Sequence, residues 1–397
     1  MKIKLEKYTD VLIWGLTTAR TQTFKKGDII LLRYELPAIS LAETVYARLI
    51  KMGFNVIPRA GITPMMEKGF YSLSNDEQLT FKIPGNEELY KSLNGSIYII
   101  APSSLTHLAG IDPKRIGMTA VAQKYLRDIL DKREEMGLFG WTLCMYPTEE
   151  LAKHAGLSLE DYTKQIAKAA FLNNRDPVGR WIDVYTEVSS IKKGLNSMEA
   201  IEYHVESVNT DLVITPGDMR KWIGISGHNI PSFEIFLSPD WRGTKGVYYA
   251  DQPSYRNGNL VKGLMLEFKD GRAVKVDADE GAEFARKQLA MDEGASQVGE
   301  FSLTDKRFSK IDKFMANTLF DENFGGKNGN CHIAVGASYS DTYSGDQTEL
   351  TKEKKEALGF NDSALHWDLV NTEKKRVTAK LKSGKIVTIY EKGVFTV

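Results

Sequence analysis

Six residues of this chain could hold a metal ion from apolar or turn-forming segments. They are Glu234 in PSFEIF, Glu300 in ASQVGEF, Glu322 in LFDEN, His332 in HIAVG, and His366 and Asp368 in ALHWDLV. A buried carboxylate is costly unless it is paired, so acids in apolar stretches imply a shared polar centre. On a strand, residues two apart share a face. His366 and Asp368 then point one way, while Leu365, Trp367 and Leu369 turn into packing. A His–Asp hydrogen-bonded pair at a surface is the plainer alternative for this dipeptide spacing. By the same rule His332 and Ala334 share one face and Cys331 and Ile333 the other. Cys331 therefore reads as a packed thiol, not a partner of His332. Between Glu322 and His332 lies NFGGKNGNC, whose glycines and asparagines build turns. The chain bends back between an acid and an imidazole.

Together these side chains supply four carboxylates and two imidazoles. With the imidazoles neutral, four negative charges balance two divalent cations. Such a set suits a dinuclear centre better than a structural zinc, which prefers cysteine and histidine. Dinuclear centres of this kind hold their ions about 3.5–4 Å apart and activate a water as nucleophile. Zinc, cobalt and manganese all accept the mixed ligand set. Glu300 is the candidate for the bridging ligand. Asp321, beside Glu322, fits either an acid that orients a ligand or a turn former. His107, His154, His204 and His228 lie in segments without matching acids and read as ordinary surface or core residues.

The elements that must position these groups differ between the two halves of the chain. In the first, DIILLRY (28–34), 55–58, SIYIIA (96–101) and 141–146 read as strands. They alternate with helical patterns at LAETVYARLIKM, near 121–136 and after Ser158. SLAE (40–43) reads as a capping box opening the first of these, with Gly53 closing it. Alternating strands and helices imply α/β architecture with a largely parallel, doubly wound sheet. No GxGxxG or P-loop occurs, so no nucleotide site is expected. Beyond Asp176-Pro177 hairpins dominate. LMLEF and AVKVDA flank Asp270-Gly271, and the C-terminal segment turns at Ser383-Gly384. One helix, 280–292, stands between these hairpins. The expected organisation is a 1–180 α/β scaffold or oligomerisation domain and a 181–397 α+β catalytic, metal-binding domain.

The chain has 397 residues, with 52 basic and 52 acidic side chains and no formal net charge. Neither nucleic acid nor an anionic membrane is favoured as a partner. Its two cysteines, Cys144 and Cys331, read as free thiols in a reducing compartment. The apolar run at 11–16 is too short for a secretory signal core, and no stretch is long enough to span a bilayer. A cytoplasmic location is expected.

The stretches NIPSFEIFLSP, DEGASQVGEFSL, NTLFDEN, HIAVGASY and ALHWDLV, in that order, resemble the thermophilic-aminopeptidase family of dinuclear metallopeptidases. Weaker similarity, including MYPTEELAK, extends this over nearly the whole chain. The resemblance implies two metal ions held by Glu234, Glu300, Glu322, His332, His366 and Asp368. It also implies catalytic roles for Glu234 and for Tyr339, seven residues beyond His332. It implies a homodimer whose sites face an enclosed cavity, suited to short peptides. The chain departs from the family pattern in the length of the Glu322–His332 link, which reads as an insertion able to loop out without moving its ends. The expected function is a metal-dependent aminopeptidase acting on peptides with a free N-terminus. The alternatives are a metallohydrolase of another small amide and a non-catalytic metal- or ligand-binding protein.

Overall fold

The computed structural model describes residues 3–397. They form two compact units. One holds the residues up to Asp183 together with Ser226–Ser232; the other holds Val184–Ile225 and Phe233–Val397.

The first unit is built on a parallel sheet. Strands β1 (Ile29–Tyr34), β2 (Asn55–Ala60), β3 (Gly95–Ile100) and β4 (Gly140–Met145) stand in the order β2-β1-β3-β4. A short segment, Asn229–Ile230, pairs parallel to β4 as the fifth strand. β1 is almost continuously apolar because both of its faces are covered, as parallel sheets require. Leu31 packs with Leu93 and Phe139, and with Leu130 from the helix Pro113–Glu135. That helix starts eight residues before the position expected from the sequence, capped by the Asp112 carboxylate on the Lys114 N–H and opened by Pro113. Ser158 caps the helix Leu159–Ala169 as its spacing to Asp161 predicts. The capping box at Ser40 does not form. A 3-10 turn at Leu36–Ala38 runs straight into the helix Ile39–Lys51, which puts Ser40 inside its first turn. Gly53, at φ +88°, does follow the end of that helix.

A further difference lies at Asp176-Pro177. The sequence reads as hairpins from there on, yet Pro177–Asn196 is a helix of 20 residues. Its valines, isoleucines and serines are weak helix formers, and only the packing of Trp181, Val184 and Val188, all fully buried, selects the helix.

The second unit contains two multi-stranded antiparallel sheets, besides a two-stranded ribbon of Ser254–Arg256 and Asn259–Val261. The larger has eight strands and includes both hairpins read from the sequence. Asp270 and Gly271 both have positive φ (49° and 77°), as a two-residue hairpin turn demands. The smaller sheet carries the candidate site. Its strands are β5 (Ile223–Gly224), β6 (Glu234–Leu237), β7 (Val298–Thr304), β8 (Asn330–Gly336) and β9 (His366–Asn371), in the order β9-β8-β7-β6-β5. One face of this sheet packs on the larger one. Phe301 meets Tyr203 and Trp222, and the Tyr248 hydroxyl donates to the carbonyls of Cys331 and Leu369. No helix among the described residues is long and apolar enough to cross a membrane.

Candidate metal centre

The other face of the smaller sheet gathers the acids and imidazoles. In register, Glu234 stands opposite Thr304, Ser302 opposite His332, Glu300 opposite Ala334, Ala334 opposite Asp368 and Gly336 opposite His366. Directly opposed residues share a face. Four neighbouring strands therefore each present a metal-ligating side chain to the same side. The intervening positions, Ser302, Ala334 and Gly336, are small and leave space above the sheet.

The ladder between β7 and β8 slips by one residue between Val298 and Glu300, a β-bulge at Gly299. A Cβ on Gly299 would lie 2.2 Å from the Ala337 carbonyl oxygen and 2.3 Å from that of Gly336. Glycine is needed there for close approach, and the bulge turns Glu300 onto the candidate face while Val298 stays buried.

The side chains converge. His332 Nε2 lies 2.9 Å from Glu300 Oε1, 3.3 Å from Glu234 Oε2 and 3.9 Å from Asp368 Oδ1. His366 Nε2 lies 3.3 Å from Asp368 Oδ1 and 3.9 Å from Glu300 Oε2. Ligand atoms of Glu234, Glu300 and His332 all fall within 4.8 Å of one another. Glu322 follows the short helix Thr318–Asp321, is 6% exposed, and feels the charges of Glu234, Asp368 and Glu300. Glu234, Glu300, His332, His366 and Asp368 thus lie together, and Glu322 is near enough to feel their charge.

The electrostatics are those of negative charge crowded out of water. Burial, then the Glu300 carboxylate, pushes Glu234 up to about 8. Burial and the same neighbours push Glu322 well above the usual carboxylate range. Burial opposes a charged His332, but the hydrogen bond to Glu300 and the charge of Glu234 prevail and raise it to about 9. For Asp368 burial is outweighed by His366, and its carboxyl falls to about 2.

A divalent cation fits this arrangement. His366 Nδ1 lies 2.9 Å from the Ala337 carbonyl, which can only accept, so Nδ1 carries the proton. In the neutral ring the Nε2 lone pair then faces carboxylate oxygens. A proton or a cation must lie between these acceptors, and a carbonyl on the far nitrogen is the support commonly given to a metal-ligating imidazole. The donor set of carboxylate oxygens and imidazole nitrogens, with no thiolate, suits zinc, cobalt or manganese. Cys331 is fully buried on the opposite face, as expected.

Asp321 is a turn former. Its two oxygens accept from the Met315 and Asn317 N–H groups, tying a loop in which Ala316 has φ +51°. The segment between Glu322 and His332 does not loop out. Gly325 and Gly329 are buried, Gly325 and Gly326 donate to the Ile311 carbonyl, and the Asn330 amide donates to the carbonyls of Glu322 and Phe324. The other histidines do have acids beside them: His107 meets Glu67, His154 Glu150, His204 Asp211 and His228 Glu134. Glu150, four residues before His154 on one helix, and Glu206, two after His204 on one strand and 3.9 Å from it, were visible as local pairs. Among the described residues none of these pairs belongs to a cluster able to hold a metal. Tyr339 is 37% exposed, and its ring centroid lies 4.8 Å from that of His366.

Two contributors escaped the sequence reading. The Arg256 guanidinium donates to the His366 carbonyl, and its charge favours ionised Asp368; nothing in SYRNG marks it. Asn323, fully buried, donates to Glu322 and accepts from the Phe233 N–H. Its position directly after Glu322 was the available signal.

Residues 1–395 match the family model described as thermophilic metalloprotease (M29). Aminopeptidase AmpS of Bacillus subtilis (strain 168) is 28% identical over 343 residues, 80% of each chain. Aminopeptidase T of Thermus aquaticus is 29% identical over 306 residues, 72% of each. The solved structure of wild-type AmpT from Thermus thermophilus shares the fold. Its TM-score is 0.78 at 22% identity, covering 98% of this chain and 100% of that one. Matched along almost its entire length, the chain belongs to the thermophilic metalloprotease (M29) family and is a metal-dependent peptide hydrolase.

Proposed function

We propose that this enzyme is a metalloaminopeptidase that removes the N-terminal residue from peptides at a centre of two divalent ions. The observation that carries the reading is the convergence of Glu234, Glu300, His332, His366 and Asp368 on one face of one sheet, with Glu322 brought beside them by the end of a short helix. The aminopeptidase names of its relatives support the choice of substrate end. Zinc, cobalt and manganese suit the ligand set, and Glu300, within reach of both imidazoles, is the residue that would be shared between two ions.

When bound, such ions polarise the scissile carbonyl and make a water acidic enough to attack it. The chain's own residues do the rest. Glu234, beside His332 on the same face, can as the carboxylate take a proton from the attacking water and pass it to the departing amine. Tyr339, beside His366, donates its phenolic proton to the negative charge developing on the carbonyl oxygen. Arg256 and the Ala337 carbonyl hold the His366 strand and ring in place. Carboxylates of the centre are available to the substrate's free α-ammonium.

The first domain, placed at 1–180, is proposed as scaffold and dimerisation domain, and 181–397 as the catalytic domain. Exposed Met65, Met66, Leu73 and Phe81 in the first support a homodimer. Ordinary composition and free, buried cysteines support a cytoplasmic location. The test is hydrolysis of leucine or phenylalanine anilide, lost with a chelator and restored by metal. Equal turnover of the N-acetylated anilide would replace an aminopeptidase with a general amidase. Sedimentation of the purified enzyme tests the dimer.

A further inference from the structure

Glu234 and Glu322 reach the centre from different elements, a strand and the end of a short helix. One side chain joins those elements. The Asn323 Oδ1 accepts from the Phe233 N–H at 2.5 Å, immediately before Glu234. Its Nδ2 donates to the Leu319 carbonyl at 3.1 Å and to Glu322 Oε1 at 3.3 Å. A backbone N–H can only donate and a carboxylate only accept, so this amide has one possible orientation. Asn323 is fully buried, and its own carbonyl accepts from Ser309 Oγ. The Glu322 carbonyl is held by the Asn330 amide at 2.8 Å and by Thr304 Oγ1 at 3.3 Å. The backbone at Glu322 is thus anchored independently of Asn323, whose distinct contribution is to the carboxylate and to the start of the Glu234 strand.

We propose that Asn323 is a positioning residue that sets the Glu322 carboxylate relative to Glu234 and leaves Glu322 to bind metal through its second oxygen alone. This rests on the dinuclear reading above. A buried amide with all three bonds made restricts Glu322 to one rotamer, and an orienting partner of this kind is worth about 10–100-fold in metal affinity.

Asn323→Asp keeps an oxygen for the Phe233 N–H and replaces the donor facing Glu322 with an acceptor. Cobalt(II) titrations, followed by calorimetry and visible absorption, test the effect without any turnover. In the wild type two binding events are expected. In Asn323→Asp one should weaken about 10–100-fold. In a Glu322→Ala background the same substitution should change affinity several-fold less, because it acts through Glu322. Two events of unchanged affinity in Asn323→Asp would overturn the positioning role while leaving the metal centre intact. A wild type that binds no cobalt would overturn the metal reading itself. If Asn323→Asp does not fold, a cobalt-soaked crystal of the wild type decides. Glu322 bound through one oxygen, with the other on Asn323 Nδ2, supports the proposal, and a bidentate Glu322 refutes it.

Discussion

His332 and Glu300 come from adjacent strands, offset by one pleat, and their Nε2 and Oε1 atoms are 2.9 Å apart. Glu300 Oε2, its other oxygen, is 3.9 Å from the second imidazole, His366. A carboxylate so placed between two imidazoles can serve both ions of a dinuclear centre. Glu300→Ala should therefore lower metal content from two ions per chain and reduce activity together. Metal analysis by plasma emission beside an anilide assay checks this; one ion per wild-type chain at full activity would reject the dinuclear centre.

Tyr339→Phe removes a donor and little else, since the ring contact with His366 remains. The fold and metal content should persist while kcat falls about 10²–10³-fold, the scale of one lost oxyanion donor. KM should move less. Unchanged kcat at saturating substrate would pass the role to Tyr343, four residues on, which is buried.

Removing metal should make stability depend on pH in a defined direction. Glu234, raised to about 8, and His332, raised to about 9, both bind protons more tightly folded than unfolded. The folded state then holds more protons, so stability falls as pH rises. For Glu234 the loss runs from the ordinary carboxylate range to about 8, and for His332 from the ordinary imidazole range to about 9. Asp368, lowered to about 2, contributes stability lost only on strong acidification. Thermal melts of the chelated protein should show Tm dropping between pH 6 and 9, and saturating metal should remove most of that drop. A chelated protein with flat Tm across this range would contradict the crowding of charge described above.

Gly299→Ala places a methyl group against two carbonyl oxygens, at 2.2 and 2.3 Å. Backbone must shift to admit it, at a cost of about 1–3 kcal/mol. Because the bulge aims Glu300, metal affinity should fall along with stability. Denaturant titration and metal analysis of the same preparation measure both, and a variant with native values in each would mean that the bulge is not what directs Glu300.

Shortening the Glu322–His332 segment within 325–329 should lower Tm and metal content together. Gly329 lies so close to the Tyr390 hydroxyl and the Thr304 carbonyl that even a Cβ would clash, and Gly325 is tied to Ile311. A deletion variant that melts and binds metal like the wild type would show these contacts to be dispensable.

Local chemistry was legible from the sequence because it follows from short-range geometry. A period of two put His366 and Asp368 on one side of a strand and turned Cys331 away from His332. Asp270-Gly271 specified its hairpin because both residues tolerate positive φ. The ligand types implied a cation because buried acids need one. Tertiary structure alone decided which strands lie side by side, and so that Glu234, Glu300, His332 and the His366–Asp368 pair meet on one face. Strand order depends on how whole apolar faces pack, such as Phe301 against Tyr203 and Trp222, and no local pattern encodes it. The same holds for the helix Pro177–Asn196, which burial of Trp181 selects against modest propensity, and for Arg256 and Asn323. Their partners come from distant segments, and an arginine or asparagine seen in sequence shows neither what it will reach nor that water will be excluded when it does.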